Sequence, residues 1–465
     1  MDVTIIGAGL AGSEAALQLA KQGIKVNLYE MRRGKQTGAH KTGDCAEFVC
    51  SNSLGSFDTT NASGLLKKEM ELLDGELIKL AYEYQVPAGS ALAIDREGFC
   101  AAVTRKLEAN PYINIIREEI TEIPDTPTII ASGPLTSDAL AEEIKKFTQS
   151  EHLYFFDAIA PIVEKDSINF DIAFLASRYD KGEAAYINCP MNREQYEKFY
   201  NILINAPKIE LKEFESGAAG YFEGCLPVEV LASRGVDTLR YGPMKPVGLI
   251  DKRTGVENYA VVQLRQDNSA KTLYNLVGFQ TNLKWGAQKE LLQSIPGLEN
   301  VNVMRYGVMH RNTFINSPKI LKPTLQTRQR ADLFFAGQIT GTEGYTESIA
   351  SGLLAGINMV RLIKEKPVLI LPKETMLGSL MHYISDEAHK KFQPINSNWG
   401  LLPQIENFGD LPKKERKNKK LKAQLLADRS IGCLETWKYD FLCHPELVSG
   451  SSNDTSRVKL NGGRC

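Results

Sequence analysis

An α/β fold is what this sequence predicts, and three observations carry it. A short apolar strand over residues 2–6 runs into Gly7-Ala8-Gly9-Leu10-Ala11-Gly12, followed by an Ala/Leu-rich helix over 13–22. A second strand, 25–29, ends on Glu30, eighteen residues past Gly12. A second strand–glycine loop–helix unit, Ala331 to Tyr345 and onward, returns about 330 residues later, after a long stretch of different pattern. Together they describe a Rossmann-type dinucleotide-binding domain, split between 1–154 and 326–366. An inserted α+β domain occupies 155–325, a helical C-terminal part 367–440, and a tail expected to be disordered 441–465.

The glycines explain the first motif. Gly7 allows the tight turn, Gly9 lets backbone approach a pyrophosphate, and Gly12 lets helix and strand pack closely, with the diphosphate on the helix N-terminus. The carboxylate of Glu30 is placed to accept hydrogen bonds from an adenosine ribose. The later loop, with Gly337, Gly341, Glu343 and Tyr345, opens a helix over 346–363. Such a loop suits a cofactor ring or ribityl chain held by backbone contacts. Ser351-Gly352 and Ala355-Gly356 in that helix also suit close helix packing.

Between these units the chain reads in order. Residues 31–44 are polar and form a loop at the nucleotide edge. In Glu47-Phe48-Val49-Cys50-Ser51-Asn52-Ser53 a cysteine precedes small polar residues. Such a turn or helix start offers N–H groups that lower a thiol pKa, while the alternative is a buried structural cysteine. A single helix is expected over 65–84, with Leu66, Met70, Leu73, Leu77 and Leu80 on one face. A strand near 91–96 and a helix over 97–109 follow. Residues 128–135 form a buried strand ending in small residues, where sheet and cofactor approach, before a helix over 136–149. From 153 the pattern changes to aromatic and β-branched runs at 154–163, 185–190, 259–264 and 272–277, with helices over 192–204 and 286–293. Past Pro367 comes the helical part. Its run Lys413–Lys422 is either a solvated helix face or a set of phosphate contacts. Residues 445–465 show no core periodicity and read as a disordered appendage.

Composition narrows the function classes. The chain has 465 residues, 43% apolar and 24% charged, with a formal net charge of −1. That balance attracts no polyanion globally, so an RNA partner needs a local basic patch. No run of eighteen apolar residues occurs, and Met1-Asp2 lead directly into a strand, so neither a membrane span nor a signal peptide is expected. The eight cysteines are dispersed without a C-x-x-C pair, which fits a reducing cytoplasm and offers no zinc-ligand spacing.

Seven separated motifs now meet a family. Gly7–Gly12, Glu47–Ser53, Tyr186–Met191, Glu223-Gly224-Cys225-Leu226-Pro227-Val228-Glu229, Met309–Phe314, Phe335–Gly341 and Phe392-Gln393-Pro394 occur in one order. Over residues 1 to about 440 the chain resembles the bacterial folate- and FAD-dependent tRNA (uracil-5-)-methyltransferases, relatives of the flavoprotein subunit that modifies wobble uridines. The resemblance implies non-covalent FAD, 5,10-methylenetetrahydrofolate as carbon donor, NADH or NADPH as reductant, and 5-methyluridine at position 54 of the tRNA T loop as product. It also implies that Gly7 to Gly12, Glu30, Gly337 and Gly341 hold FAD, with Glu343 and Tyr345 orienting the isoalloxazine ring. This chain continues past the segment Ala427 to Trp437, near which family members usually stop.

The chemistry implied is demanding. A thiolate must add to uracil C6 so that C5 gains carbanion character and attacks an activated methylene. Loss of the C5 proton and elimination of the thiol follow, tetrahydrofolate departs, and hydride transfer from reduced flavin converts the transferred methylene to methyl. The family match makes Cys225 the attacking thiol and places Cys50 near the flavin, in proton transfer, in guarding the reactive flavin species, or in transient covalency. Cys189 reads as a core or pocket-wall cysteine. His310-Arg311 position a phosphate, a folate carboxylate or a flavin edge, or else satisfy hydrogen bonds between domains. The same chemistry on ribosomal RNA and a small-metabolite FAD oxidoreductase are the competing functions.

Overall fold

The computed structural model describes residues 2–37, 39–150, 153–180, 183–209, 226–389, 392–406 and 408–443. Five parallel strands form the central sheet in the order Leu333–Phe335, Thr128–Ile130, Val3–Ile6, Val26–Tyr29, Ile113–Ile116. Val3, Ile5, Val26, Leu28, Ile129 and Phe334 are buried, as near-continuous apolar strands in a covered parallel sheet should be. The chain crosses from Val3–Ile6 to Val26–Tyr29 on one side and to Thr128–Ile130 on the other. A crevice therefore opens at the carboxyl ends of these strands, where α/β sheets bind ligands.

The helix Leu10–Ala20 packs against Tyr345–Ile363, and small residues let the two backbones meet. A Cβ on Gly352 would overlap the Ala11 backbone, and one on Gly356 would lie 3.0 Å from Ala15 Cα. The pairing of Ser351-Gly352 and Ala355-Gly356 thus has the packing role that their spacing allowed. It also brings the two glycine-rich loops to the same end of the sheet.

The single helix expected over 65–84 is two helices, Ala62–Leu72 and Glu76–Glu83. Asp74 takes a left-handed φ of 63°, and Gly75 precedes the second helix. The carboxylate of Glu14 accepts hydrogen bonds from the Glu76 and Leu77 N–H groups, capping that helix from a neighbouring element. A tertiary cap overrides the continuous apolar face that local periodicity reports.

A second body of structure follows residue 158. Six strands in the order Phe174–Ala176, Tyr186–Met191, Ala260–Gln266, Leu273–Leu276, Ile162–Glu164, Val303–Arg305 form an antiparallel sheet. The helices Arg193–Asn205 and Trp285–Gln293 lie over it. Its apolar cluster, including Ile187, Tyr196, Phe199, Leu264 and Leu291, is separate from the cluster around the parallel sheet. The two strands Leu153–Ala158 and Met309–Phe314, paired antiparallel, carry the chain out and back. The architecture is an α/β Rossmann-type fold with an α+β insertion.

Helices Met376–Ile384 and Lys419–Cys443 complete the first cluster, the latter continuing three residues past the expected end at 440. The tail 444–465 lies outside the described residues. One buried carboxyl ties this part to the core. Glu69 accepts from the N–H groups of Met376 and Leu377 and from the Ser430 hydroxyl at 2.6, 2.8 and 2.5 Å. Burial pushes its pKa up to about 7 despite those donors. Native Glu69 therefore keeps its proton to higher pH than the unfolded chain, where glutamate titrates near 4.5. Its stabilising contribution is complete below the unfolded pKa and is lost as pH rises through about 7. The loss amounts to roughly 3 kcal/mol. Glu69→Gln should flatten this dependence, read as the difference in urea midpoint between mildly acidic and mildly alkaline buffer. A variant with the wild-type pH profile would remove Glu69 as its source.

Candidate functional site

The crevice at the carboxyl ends of the parallel strands is a cleft enclosing about 950 Å³ of empty space, its open mouth included. Gly7, Gly9, Leu10 and Ala11 line it from the first loop, Glu30 from the second strand's end, and Gly337 and Tyr345 from the late loop. Seven residues expected from sequence to touch a cofactor therefore share one cleft. Ala8, Gly12, Gly341 and Glu343 do not line it and act behind its wall.

Each has a local reason for its place. Gly7 has a φ of 99°, and a Cβ there would sit 2.6 Å from the Ala131 carbonyl oxygen. A Cβ on Gly12 would overlap the Gly7 carbonyl oxygen. Gly9 differs, because a Cβ would meet nothing within 4 Å. The space in front of it is free for a ligand, and no side chain caps the helix that begins at Leu10. Its unsatisfied N–H groups suit a phosphate. The Ala8 N–H donates to Glu30 Oε2 at 3.0 Å, locking the loop to the second strand. Gly341, with a φ of 82°, abuts Phe392, while Glu343 Oε1 accepts from Gln338 Nε2 at 2.5 Å.

Glu30 is more heavily engaged than its expected role requires. Besides Ala8 it accepts from the Arg32 N–H, Nε and Nη2 at 3.0, 2.8 and 3.0 Å. A carboxylate has about four acceptor positions, and all are used. A ribose reaching Glu30 must share or displace Arg32. Burial alone would raise the pKa of Glu30, but Arg32 holds it below the ordinary carboxylate value. Arg32 also reaches Glu47 at 3.2 Å. His40 lines the same wall, its pKa lowered to about 4 by burial and by Arg32.

Cys50 sits in an irregular turn between the first sheet and the strand Ser53–Ser56, half-buried. Its N–H donates to the Tyr345 hydroxyl at 2.7 Å, and its Sγ lies 2.9 Å from the same oxygen. The ring of Tyr345 meets Phe48 edge-on at 4.7 Å between centroids. Burial and the neighbouring Cys50 hold the phenol pKa well above 10. The hydroxyl therefore stays protonated and can donate to a thiolate sulfur.

A model of the glucose inhibited division protein A family matches residues 2–367. A methylenetetrahydrofolate--tRNA-(uracil-5-)-methyltransferase TrmFO from Anoxybacillus flavithermus is 57% identical over 437 residues, covering 94% of this chain and 99% of that one. Its counterpart from Bacillus subtilis is 58% identical, covering 93% and 98%. The chain belongs to this methyltransferase family. A solved GidA structure from Aquifex aeolicus superposes with a TM-score of 0.64 at 17% identity, over 97% of this chain and 78% of that one, a likeness of fold.

Within this methyltransferase family's motifs, Cys225 and the segment 210–225 lie outside the described residues, as do the side chains of His310 and Arg311. Cys189 is fully buried in the strand Tyr186–Met191, its pKa raised by burial. Arg32, His40 and Glu47 were not singled out as cleft residues by sequence. The signal available for Arg32 was its place two residues after Glu30, and for Glu47 its place three before Cys50. Among the described residues no cluster of His, Cys, Asp and Glu can hold a metal ion, and no helix is long and apolar enough to cross a membrane.

Proposed function

We propose that this chain methylates C5 of a tRNA uridine, at position 54 of the T loop, in the cytoplasm. 5,10-Methylenetetrahydrofolate gives the carbon, and NADH or NADPH gives the electrons. The near-complete coverage of both chains at 57–58% identity carries this reading. The cleft fits FAD on the chain's own residues: ligand space at Gly9, an uncapped helix N-terminus, and two glycine loops meeting at one sheet edge. When bound, FAD supplies the hydride that turns an exocyclic methylene into a methyl group.

The protein's residues supply the rest. Cys225 adds as thiolate to uracil C6, so that the electron pair develops at C5 and attacks the methylene carbon. The C5 proton leaves as the carbon–nitrogen bond to tetrahydrofolate breaks, giving the exocyclic methylene on the base. Once that carbon has taken a hydride, the electron pair returned to C5 reforms the C5–C6 double bond and expels the Cys225 thiolate. Cys50, held by the cleft residue Tyr345, exchanges a proton or shields the reacting carbon. Domain roles follow: residues 1–154 and 326–366 hold the dinucleotide, and 155–325 carry Cys225 and receive RNA and folate. Purified protein given methylenetetrahydrofolate, NADPH and unmodified tRNA should form 5-methyluridine in the T loop, seen by nuclease digestion and mass analysis. Product in ribosomal RNA but not tRNA would keep the chemistry and change the substrate. Flavin turnover without RNA or folate would favour a small-metabolite oxidoreductase.

Residues 414–420 are exposed, at and before the start of the last helix. In a chain of net charge −1 they form the candidate contact with tRNA phosphates. Neutralising Lys414, Arg416, Lys417, Lys419 and Lys420 together should weaken tRNA binding and flatten its salt dependence, leaving FAD content unchanged. An unchanged salt slope would assign the run to solvent.

A further inference from the structure

We propose that Arg96 and Arg305 are positioning residues for Cys50: they grip the two carbonyls preceding it and hold its sulfur as a thiolate against the Tyr345 hydroxyl. Arg96, at the start of the helix Arg96–Glu108, donates from Nη1 to the Phe48 carbonyl oxygen at 2.8 Å. Arg305, from the last strand of the inserted sheet, donates from Nη2 to the Val49 carbonyl oxygen at 2.8 Å and to that of Ala39 at 3.0 Å. Two consecutive carbonyls are thus clamped by guanidinium groups from different parts of the fold.

The other side of the turn is clamped as well. Asn52 is fully buried; its Nδ2 donates to the Ile94 and Gln266 carbonyls, and its Oδ1 accepts from Arg265 Nε and Asn275 Nδ2, both at 3.1 Å. Arg305, Arg265, Gln266 and Asn275 all belong to the inserted segment. The Cys50 turn is therefore held by how that segment seats on the nucleotide unit.

Charge points the same way. The cations gathered around this turn are Arg32, Lys41, Arg96, Arg265 and Arg305, against Glu30, Glu47 and Asp267, with His40 neutral and the Tyr345 phenol protonated. Among the described residues this leaves two positive charges in excess, with Lys41 exposed and Arg32, Arg96, Arg265 and Arg305 buried. Arg32 is taken by Glu30 and Glu47. Arg96 pairs with Asp267 at 2.9 Å, yet its Nε is buried without a hydrogen-bond partner among the described residues. Burial lowers the pKa of both Arg265 and Arg305, the Arg96 charge contributing less, so the local excess of positive charge lies in a poorly solvated setting. A sulfur anion at Cys50 relieves it, and the Tyr345 hydroxyl, whose lone pair already accepts the Cys50 N–H, turns its proton to the sulfur.

The proposal rests on Cys50 being the working sulfur of the cleft, but its test does not depend on methyl transfer. FAD-loaded full-length protein is alkylated with iodoacetamide across a range of pH, and Cys50 is followed by peptide mass analysis. Wild-type Cys50 should reach half-maximal rate below the free-thiol value of about 8.5. Arg96→Gln should raise that midpoint and slow alkylation about tenfold at neutral pH. Arg96→Lys, which keeps the charge, should return most of the shift, and Arg305→Gln should move it in the same direction. If Arg96→Gln loses FAD, Arg96→Lys and Arg305→Gln decide by the same measurement. A wild-type midpoint at the ordinary value, or variant profiles superimposed on wild type, overturns the proposal. Shifted profiles in a protein that methylates no RNA would sink the functional reading and leave the clamp standing.

Discussion

Gly9→Glu should yield a folded, colourless protein. Gly9 has an ordinary φ of −71°, and a Cβ there meets nothing within 4 Å, so the chain accommodates a side chain without strain. The space that side chain fills is the diphosphate's, and its carboxylate repels the phosphates at the helix N-terminus where they gain most. Flavin absorbance should vanish while the circular dichroism spectrum remains. Gly12→Ala is the contrasting variant, because its Cβ overlaps the Gly7 carbonyl oxygen and forces helix and strand apart. That overpacking costs about 1–3 kcal/mol or more and should appear as lost folded protein. Full FAD occupancy in Gly9→Glu would show that the cofactor lies elsewhere.

Loss of all methyl transfer is the expected outcome for Cys225→Ala, with FAD still bound. Uracil C5 is too weak a nucleophile to attack the methylene carbon unless a thiolate has first added at C6. A tRNA carrying 5-fluorouridine should trap wild-type protein covalently through Cys225, because fluorine cannot leave as the proton does. Methylation by Cys225→Ala at the wild-type rate would move the nucleophile's role to Cys50.

The division between what sequence reveals and what it hides follows the range of the forces involved. A strand, a turn needing a positive φ at Gly7, and a helix packed through Gly12 are decided by neighbours within a dozen residues. The nucleotide unit, its second glycine loop and most strands of the insertion were therefore legible from residue type and period. The seven motifs also determined the family. The break at Asp74-Gly75 was not legible, because the Glu14 carboxylate that caps the next helix comes from another element. Nor was the saturation of Glu30 by Arg32, which depends on side-chain geometry rather than spacing. The pairing of Cys50 with Tyr345 spans 295 residues, and the grip of Arg305 on Val49 spans 256. No local period encodes such contacts. They arise when the parallel sheet brings two distant loops to one edge and the inserted sheet lays its last strand against them. The sequence by itself determined the fold class, the family and the cysteines to watch; only the tertiary structure decided which charges and hydroxyls surround Cys50, because those groups meet through packing and not through chain neighbourhood.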